Sequence, residues 1–453
     1  MQYAEEYSAA AAAPSRTGSR AASSGGGVAA AVIAEEYFAS YDDLNVHQTM
    51  LHDEPRMAFY RDAIAGDPAI RGSVVLDAGA GTGVLSLFAA LYGGARRVIA
   101  VEASAFLCDG IRRTLRQYPS DVQARIHVVH SALEDVSLAS LRRCGALSVD
   151  DDAVDFIVSE WIGFYLLHER MLQSVVACRR QLASPSPNGT SRLPRMIPNT
   201  ATLYVALVDV EPLKDAIRRQ WTFAPSAPGG GSIALHGFAE TDITSRLSKS
   251  PLVEVVPPAC VIGGHGVVGG DAPSGPHARG CQALVAPSSH RGAKVVACWD
   301  LEDDGLTPES LDVVVGQVRF AFSAPHTAAA PPSRTENDTP RVAGGVIIWF
   351  DVAYDISAVC PAAASQPGTR VSPPRHVIAR LDTSPFSAPT HWKQTLVLFP
   401  DGASIPVADL QRDGDVVGVH LRLSCAEGSR CYDIQLELFD GAATDAEAAT
   451  AED

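Results

Sequence analysis

The sequence predicts an α/β domain built on a parallel sheet, followed by an all-β barrel or sandwich domain. Three observations carry this reading. Between Val74 and Ser159, short apolar runs alternate with helix-patterned stretches, the signature of a parallel sheet covered by helices. A Gly-rich turn, Gly79-Ala80-Gly81-Thr82-Gly83, follows the first apolar run. Beyond Pro194 and Pro198 the chain changes to alternating strands broken by Gly and Pro, as in Val419-His420-Leu421-Arg422-Leu423.

The elements follow in order. Residues 1–33 are low-complexity Ala, Ser and Gly and read as a disordered tail. Residues 34–72 carry Met50, Leu51 and Met57 at helical spacing and read as N-terminal helices. The α/β domain spans 73–198. Its strands are expected at Val74–Asp77, Arg97–Glu102, Ile126–His130 and Val154–Ser159. An apolar helix from Val84 to Tyr92 stops at Gly93-Gly94, where a helix C-cap is expected. The β domain spans 199–440, with strands at 201–210, 346–354, 395–399, 416–424 and 432–439. Stretches rich in Gly, Pro, Ala and Ser at about 257–292, 323–345 and 359–375 read as disordered insertions, and 441–453 as an acidic tail.

Composition sets limits. The chain has 453 residues, 46% hydrophobic and 19% charged, enough to bury a large core without staples. Thirty-six Lys+Arg against 52 Asp+Glu give a net charge of −16. That argues against direct nucleic-acid binding, which needs a basic face, and suits a basic partner. No apolar run is long enough to span a membrane. Nine scattered cysteines without a CxxC pair read as reduced thiols of an intracellular protein. No metal-ligand spacing occurs.

The Gly-rich turn brings the backbone close to a ligand at the carboxyl end of a strand. Its spacing, Asp77-x-Gly79-x-Gly81-Thr82-Gly83, is neither the dinucleotide fingerprint nor a P-loop. A tight turn alone would explain the glycines. Glu102, however, ends the next strand, where a carboxylate accepts from both ribose hydroxyls. Glu134 follows the third strand at the same end and can accept from an adenine amino group. Adenosine without a phosphate cradle points to S-adenosylmethionine.

The most informative segment is Ser159-Glu160-Trp161-Ile162-Gly163-Phe164-Tyr165-Leu166-Leu167-His168-Glu169. Two glutamates bracket an apolar loop, where charge is rarely placed without a partner. Paired carboxylates repel unless a cation lies between them. A guanidinium is planar, permanently charged and offers five donors, so it fits.

These residues resemble the double-glutamate loop of the protein arginine methyltransferases. The resemblance extends to Tyr37-Phe38-Ala39-Ser40-Tyr41, to His47-Gln48-Thr49-Met50-Leu51 followed by Asp53-Glu54-Pro55-Arg56, and to Thr390-His391-Trp392. The wording around Glu160 and around Thr390 is most similar to the family's subtype 6, and the likeness covers about residues 34–440. It implies a seven-stranded Rossmann-like methyltransferase domain, a β-barrel domain and a helical dimerisation arm at about 211–248. It implies that His47, Arg56, Asp77, Gly79, Gly81, Glu102, Glu134 and Tyr41 bind S-adenosylmethionine, with Arg56 on the methionyl carboxylate. Glu160 and Glu169 would be catalytic, and the departing proton would leave through Glu169 or through Asp53 with His391, a pair that a structural hydrogen bond between the barrel and the N-terminal helix would equally explain. Met50, Tyr37, Ile162, Phe164 and Trp392 would shape the substrate pocket.

The expected activity is transfer of methyl groups to arginine in proteins such as histone tails or Gly/Arg-rich proteins, by a homodimer in nucleus, cytoplasm or both. Met50 implies an asymmetric dimethylarginine product. Ile162 and Phe164 depart from the family's usual Met and Tyr and bear on rate and product balance. The competing readings are a catalytically weak scaffold for arginine-rich partners, a monomethylating-only enzyme, and a methyltransferase acting on another nucleophile.

Overall fold

The computed structural model describes residues 41–148, 153–185, 191–223, 232–247, 251–262, 292–322, 341–357, 375–399, 403–413, 416–426 and 429–441. The tail at 1–33, Tyr37 and most of each expected insertion lie outside them.

Two helices come first: α1 (Leu44–His52) and α2 (Glu54–Gly66). Asp53 ends the first and caps the second, its carboxylate accepting from the Arg56 amide, with Pro55 in the first turn. The α/β unit follows: β1 (Val74–Ala78), α3 (Val84–Phe88), β2 (Arg97–Glu102), α4 (Ala105–Leu115), α5 (Ser120–Arg125), β3 (Ile126–His130), α6 (Leu138–Arg143), β4 (Phe156–Val158), α7 (Met171–Gln181) and β5 (Arg195–Ile197). Every residue of β1 is buried, as in a central parallel strand with both faces covered.

The strands pair in the order β3-β2-β1-β4-β5, all parallel. Among the described residues this sheet has five strands, not the seven expected. After β5 the chain passes through Pro198 and enters the second sheet, so the edge beside β5 gains no further strand.

The second unit is antiparallel. It starts with β6 (Thr200–Asp209), whose ten residues are all buried. A helical excursion follows, α8 (Glu211–Gln220) and α9 (His236–Leu247), and then β7 (Leu252–Glu254), β8 (Lys294–Asp300), β9 (Val313–Ala321), β10 (Val342–Ser357), β11 (Arg375–Asp382), β12 (Gln394–Leu398), β13 (Val416–Ser424) and β14 (Asp433–Asp440). One sheet runs β7-β12-β10-β6-β8, with β11 also on β10, and the other runs β9-β13-β14. Residues 342–345, expected inside an insertion, belong to β10, because Gly345 and Val346 pair with Leu398 and Val397. The strands β7, β8, β9 and β11 were not expected.

One core runs through both units, and a second, smaller apolar cluster around Tyr204, Trp349 and Leu396 lies within the antiparallel unit. Polar groups fix the junction: Asp67 at the end of α2 accepts from Tyr354 (2.5 Å) and pairs with Arg195 (2.9 Å). Arg195 also lies over the rings of Phe156 and Tyr354. Cys108, Cys144, Cys178, Cys260, Cys425 and Cys431 are free thiols, but Cys298 is disulfide-bonded, so the expectation of reduced thiols does not hold there. Among the described residues no helix is long and apolar enough to cross a membrane.

Candidate active site

In a sheet ordered β3-β2-β1-β4-β5 the switch point lies between β1 and β4, and ligands of such sheets bind outside the carboxyl ends there. Three chain segments meet at that place. β1 runs into the glycine turn, β2 ends at Glu102, and β4 leads into Glu160.

The turn depends on glycine. Gly79, Gly81 and Gly83 have φ of +74°, +54° and +79°. A Cβ on Gly79 would also lie 2.3 Å from Met171 Cε. Glu102 is nearly buried and clamps the turn: Oε2 accepts from the Gly81 amide and Oε1 from the Ser104 amide, each at 2.8 Å. Each oxygen keeps a further lone pair for a hydroxyl. Glu134 accepts from Ser174 Oγ at 2.5 Å.

Asp77 does not line the cavity, contrary to expectation. It is fully buried beneath the turn, where Ser86 Oγ on α3 donates to Oδ2 at 2.7 Å and Oδ1 has no hydrogen-bond partner. Burial pushes its carboxyl up to about 7, against the opposing Ser86 bonds.

The N-terminal helices cover this end of the sheet. His47 Nε2 meets the Tyr41 carbonyl at 2.7 Å. Arg56 is 5% exposed. Its Nη2 donates to Glu160 Oε2 at 3.0 Å and its Nη1 to the Met50 carbonyl at 3.1 Å, while Nε is buried without a partner. Such an orphaned donor is unusual and marks a place for an acceptor.

Glu160 Oε1 accepts from the Ile162 amide at 3.0 Å. Glu169 Oε2 accepts from Tyr41 Oη at 2.5 Å. The loop between them is strained: Tyr165, Leu166, Glu169 and Arg170 all have positive φ, which costs each non-glycine residue of the order of 1–3 kcal/mol. Gly163 permits the fold of the loop, because a Cβ there would lie 2.1 Å from the His168 carbonyl oxygen. Tyr165 Oη meets His168 Nδ1 at 2.8 Å, and burial lowers the His168 imidazole to about 4, so it is neutral at pH 7.

One cavity is lined by Tyr41, His47, Met50, Arg56, Gly79, Gly81, Glu102, Glu134, Glu160, Ile162 and Glu169. Four other predicted residues lie elsewhere. Trp392 is buried under the loop, its Nε1 donating to the Ile162 carbonyl at 2.8 Å, so it supports the pocket from behind. Phe164 packs against the core and the His168 ring. Asp53 and His391 line a separate cleft between α1, α2 and the residues before β12. There Asp53 Oδ2 accepts from His391 Nδ1 (2.6 Å) and its amide (2.8 Å), and Oδ1 accepts from the Arg56 amide. Burial raises the Asp53 carboxyl, but the bonds from His391 outweigh this and hold it below its usual range. Sequence reasoning missed Ser131, Met171, Ser174 and Arg430 in the cavity wall. The first three sit beside predicted residues, but Arg430 comes from the β13–β14 connection, and nothing local in the sequence signals it.

No family model matches the chain. It is 30% identical over 390 residues to protein arginine N-methyltransferase 6 of Danio rerio, covering 84% of this chain and 83% of that protein. It is 29% identical over 423 residues to the probable protein arginine N-methyltransferase 3 of Arabidopsis thaliana, covering 89% of this chain but only 56%, about half, of that relative's length. The crystal structure of PRMT6-SAH superposes with a TM-score of 0.61 at 26% identity, covering 88% of this chain and 100% of that one. A parallel sheet joined to an antiparallel barrel, two glutamates facing one cavity, and relatives of that similarity and coverage agree: the chain belongs to the protein arginine N-methyltransferase family.

Proposed function

We propose that this protein transfers methyl groups from S-adenosylmethionine to guanidino nitrogens of arginine in other proteins, giving ω-N-monomethylarginine and asymmetric dimethylarginine. The observation that carries the reading is the shared cavity: Glu160 and Glu169 open onto the same space as Arg56, Glu102 and the glycine turn.

The residues present fit the methyl donor. The unpartnered Arg56 Nε suits its carboxylate, Glu102 its ribose hydroxyls and Glu134 its adenine amino group, and the glycine turn forms a cradle that a Cβ at Gly79 would fill. When bound, S-adenosylmethionine supplies a methyl carbon made electrophilic by its sulfonium.

The chain's own residues do the rest. Arginine is a poor nucleophile because its lone pairs are delocalised and it holds its proton. Glu160 and Glu169 concentrate positive charge on the nitrogens they bind and leave the remaining nitrogen richer in electron density. Holding that nitrogen in line is worth about 7–11 kcal/mol in well-oriented cases. Glu169 takes the departing proton. Asp53 and His391 face another cleft, and both Asp53 oxygens are already engaged, so they act as a support. Met50 in the wall favours reseating the monomethylated nitrogen, which supports the asymmetric product.

The net charge of −16 suits histone tails and Gly/Arg-rich substrates. Substrates of that kind fit an enzyme of the nucleus, the cytoplasm or both. The arm exposes Phe223, Ile233, Leu235 and Phe238, and the α/β domain exposes Leu91, Tyr92 and Phe106. Exposed apolar side chains on both the arm and the α/β domain suit a head-to-tail homodimer closed by twofold repetition.

Mass spectrometry of a histone and a Gly/Arg-rich protein incubated with enzyme and S-adenosylmethionine tests the reading. Asymmetric dimethylarginine is expected, and Glu160→Gln should abolish it. Monomethylarginine alone would overturn the product assignment. No arginine product with intact cofactor binding would favour the scaffold, and activity surviving in Glu160→Gln would sink the guanidinium clamp.

A further inference from the structure

The strained glutamate loop needs something to hold it, and the β barrel supplies it. Glu169 and Arg170, both with positive φ, lie against residues 429–432 in the β13–β14 connection. The Glu169 amide donates to the Arg430 carbonyl at 2.8 Å, and Arg430 Nη1 donates to the Glu169 carbonyl at 3.2 Å. Both main-chain polar groups of Glu169 are therefore taken by one residue 261 positions away. Neighbouring contacts fix the same seat. Arg170 Nη1 donates to the Ser429 carbonyl at 3.3 Å and the same side chain pairs with Asp312. The Tyr432 amide approaches Tyr165 Oη at 3.4 Å, and Gln173 donates to Tyr432 Oη at 2.5 Å. Tyr432 Oη in turn donates to the Leu311 carbonyl at 2.6 Å.

Resting on the proposed arginine-methylating role of Glu169, we infer that Arg430 is a positioning residue of the active site. It fixes the peptide unit of Glu169 in its left-handed conformation from the barrel side, and so aims the carboxylate that Tyr41 holds from the opposite, N-terminal side. Arg430 also lines the cavity itself. The cofactor contacts Glu102, Arg56 and the glycine turn share no hydrogen bond with it, so its loss should separate substrate chemistry from cofactor binding.

The test compares wild type, Arg430→Ala and Arg430→Lys in full-length enzyme. Steady-state kinetics use an arginyl peptide, calorimetry reads S-adenosylmethionine affinity, and thermal melting checks the fold. Misplacing a reacting group by about 1 Å can cost ~100-fold. Arg430→Ala should therefore lower kcat by about 10- to 100-fold, with cofactor Kd within about twofold of wild type. Lysine keeps one charged donor and should recover part of the loss. The inference is overturned by a kcat within twofold of wild type in Arg430→Ala, by cofactor affinity falling in step with kcat, or by a loss that lysine does not lessen. If wild type itself makes no methylarginine, the proposed function fails first, and the two failures are distinguishable.

Discussion

Removing Arg56 should disable cofactor binding and loosen the N-terminal helices in one step. In the structure this guanidinium has three partners, Glu160, the Met50 carbonyl and the Met57 thioether, and one unpartnered donor, Nε. In Arg56→Ala the Glu160 carboxylate loses its countercharge but keeps the Ile162 amide. Breaking a buried pair costs about 3–5 kcal/mol, and the surviving bond and partial exposure of Glu160 reduce this to about 2 kcal/mol. That corresponds to a fall in Tm of a few degrees. A charge-assisted hydrogen bond to the cofactor carboxylate is worth about 1.5–3 kcal/mol, so Kd for S-adenosylmethionine should rise by roughly 10- to 150-fold. Isothermal titration calorimetry reads this directly. Arg56→Lys keeps the charge but cannot serve Glu160, Met50 and a carboxylate together, so it should fall between alanine and wild type. If the alanine variant bound cofactor within twofold of wild type, Arg56 would be only a structural partner of Glu160, and the assignment of its Nε would be wrong.

Other outcomes follow from the same geometry. Gly163→Ala drives a Cβ into the His168 carbonyl and should lower Tm while abolishing methyl transfer, since the glutamate loop must open to admit it. Tyr41→Phe removes the 2.5 Å bond to Glu169 and should reduce kcat/KM for an arginyl peptide by about tenfold, measured at saturating cofactor. Asp77 holds its proton up to about pH 7 when folded, whereas unfolded it releases it near 3.8. The folded state therefore binds more protons between these values, and stability falls as pH rises through that window and levels off above it. Asp77→Asn cannot ionise, so its stability relative to wild type should climb between pH 4 and 7 in urea titrations. A pH-independent difference would refute the buried proton.

The parts of the fold that were legible are those where one local rule dominates. β1 to β4 lie within two residues of their expected bounds because continuous burial produces continuous apolar runs. The glycine turn and Glu102 were legible because a tight turn and a strand-end carboxylate are short-range features. β8 and β11 were missed, being interleaved with Gly/Pro-rich stretches whose composition masks a half-buried strand. The roles of Trp392, Asp53 and Asp77 depend on what each side chain meets across the chain, and Arg430 depends on a pairing of residues 261 positions apart. Spacing carries no record of such meetings.

The seat formed by Ser429 to Tyr432 bears on how the protein can be divided. A fragment ending near Pro198 would retain the glycine turn, Glu102, Arg56 and both glutamates, yet would lack the surface that shapes Glu169. It would also lose the Trp392 and His391 contacts to Ile162 and Asp53. Barrel and sheet domain are thus not interchangeable modules. Grafting this sheet domain onto another barrel, or shortening the β13–β14 connection, would leave the proposed catalytic residues in place while erasing the surface whose hydrogen bonds hold the Glu169 main chain.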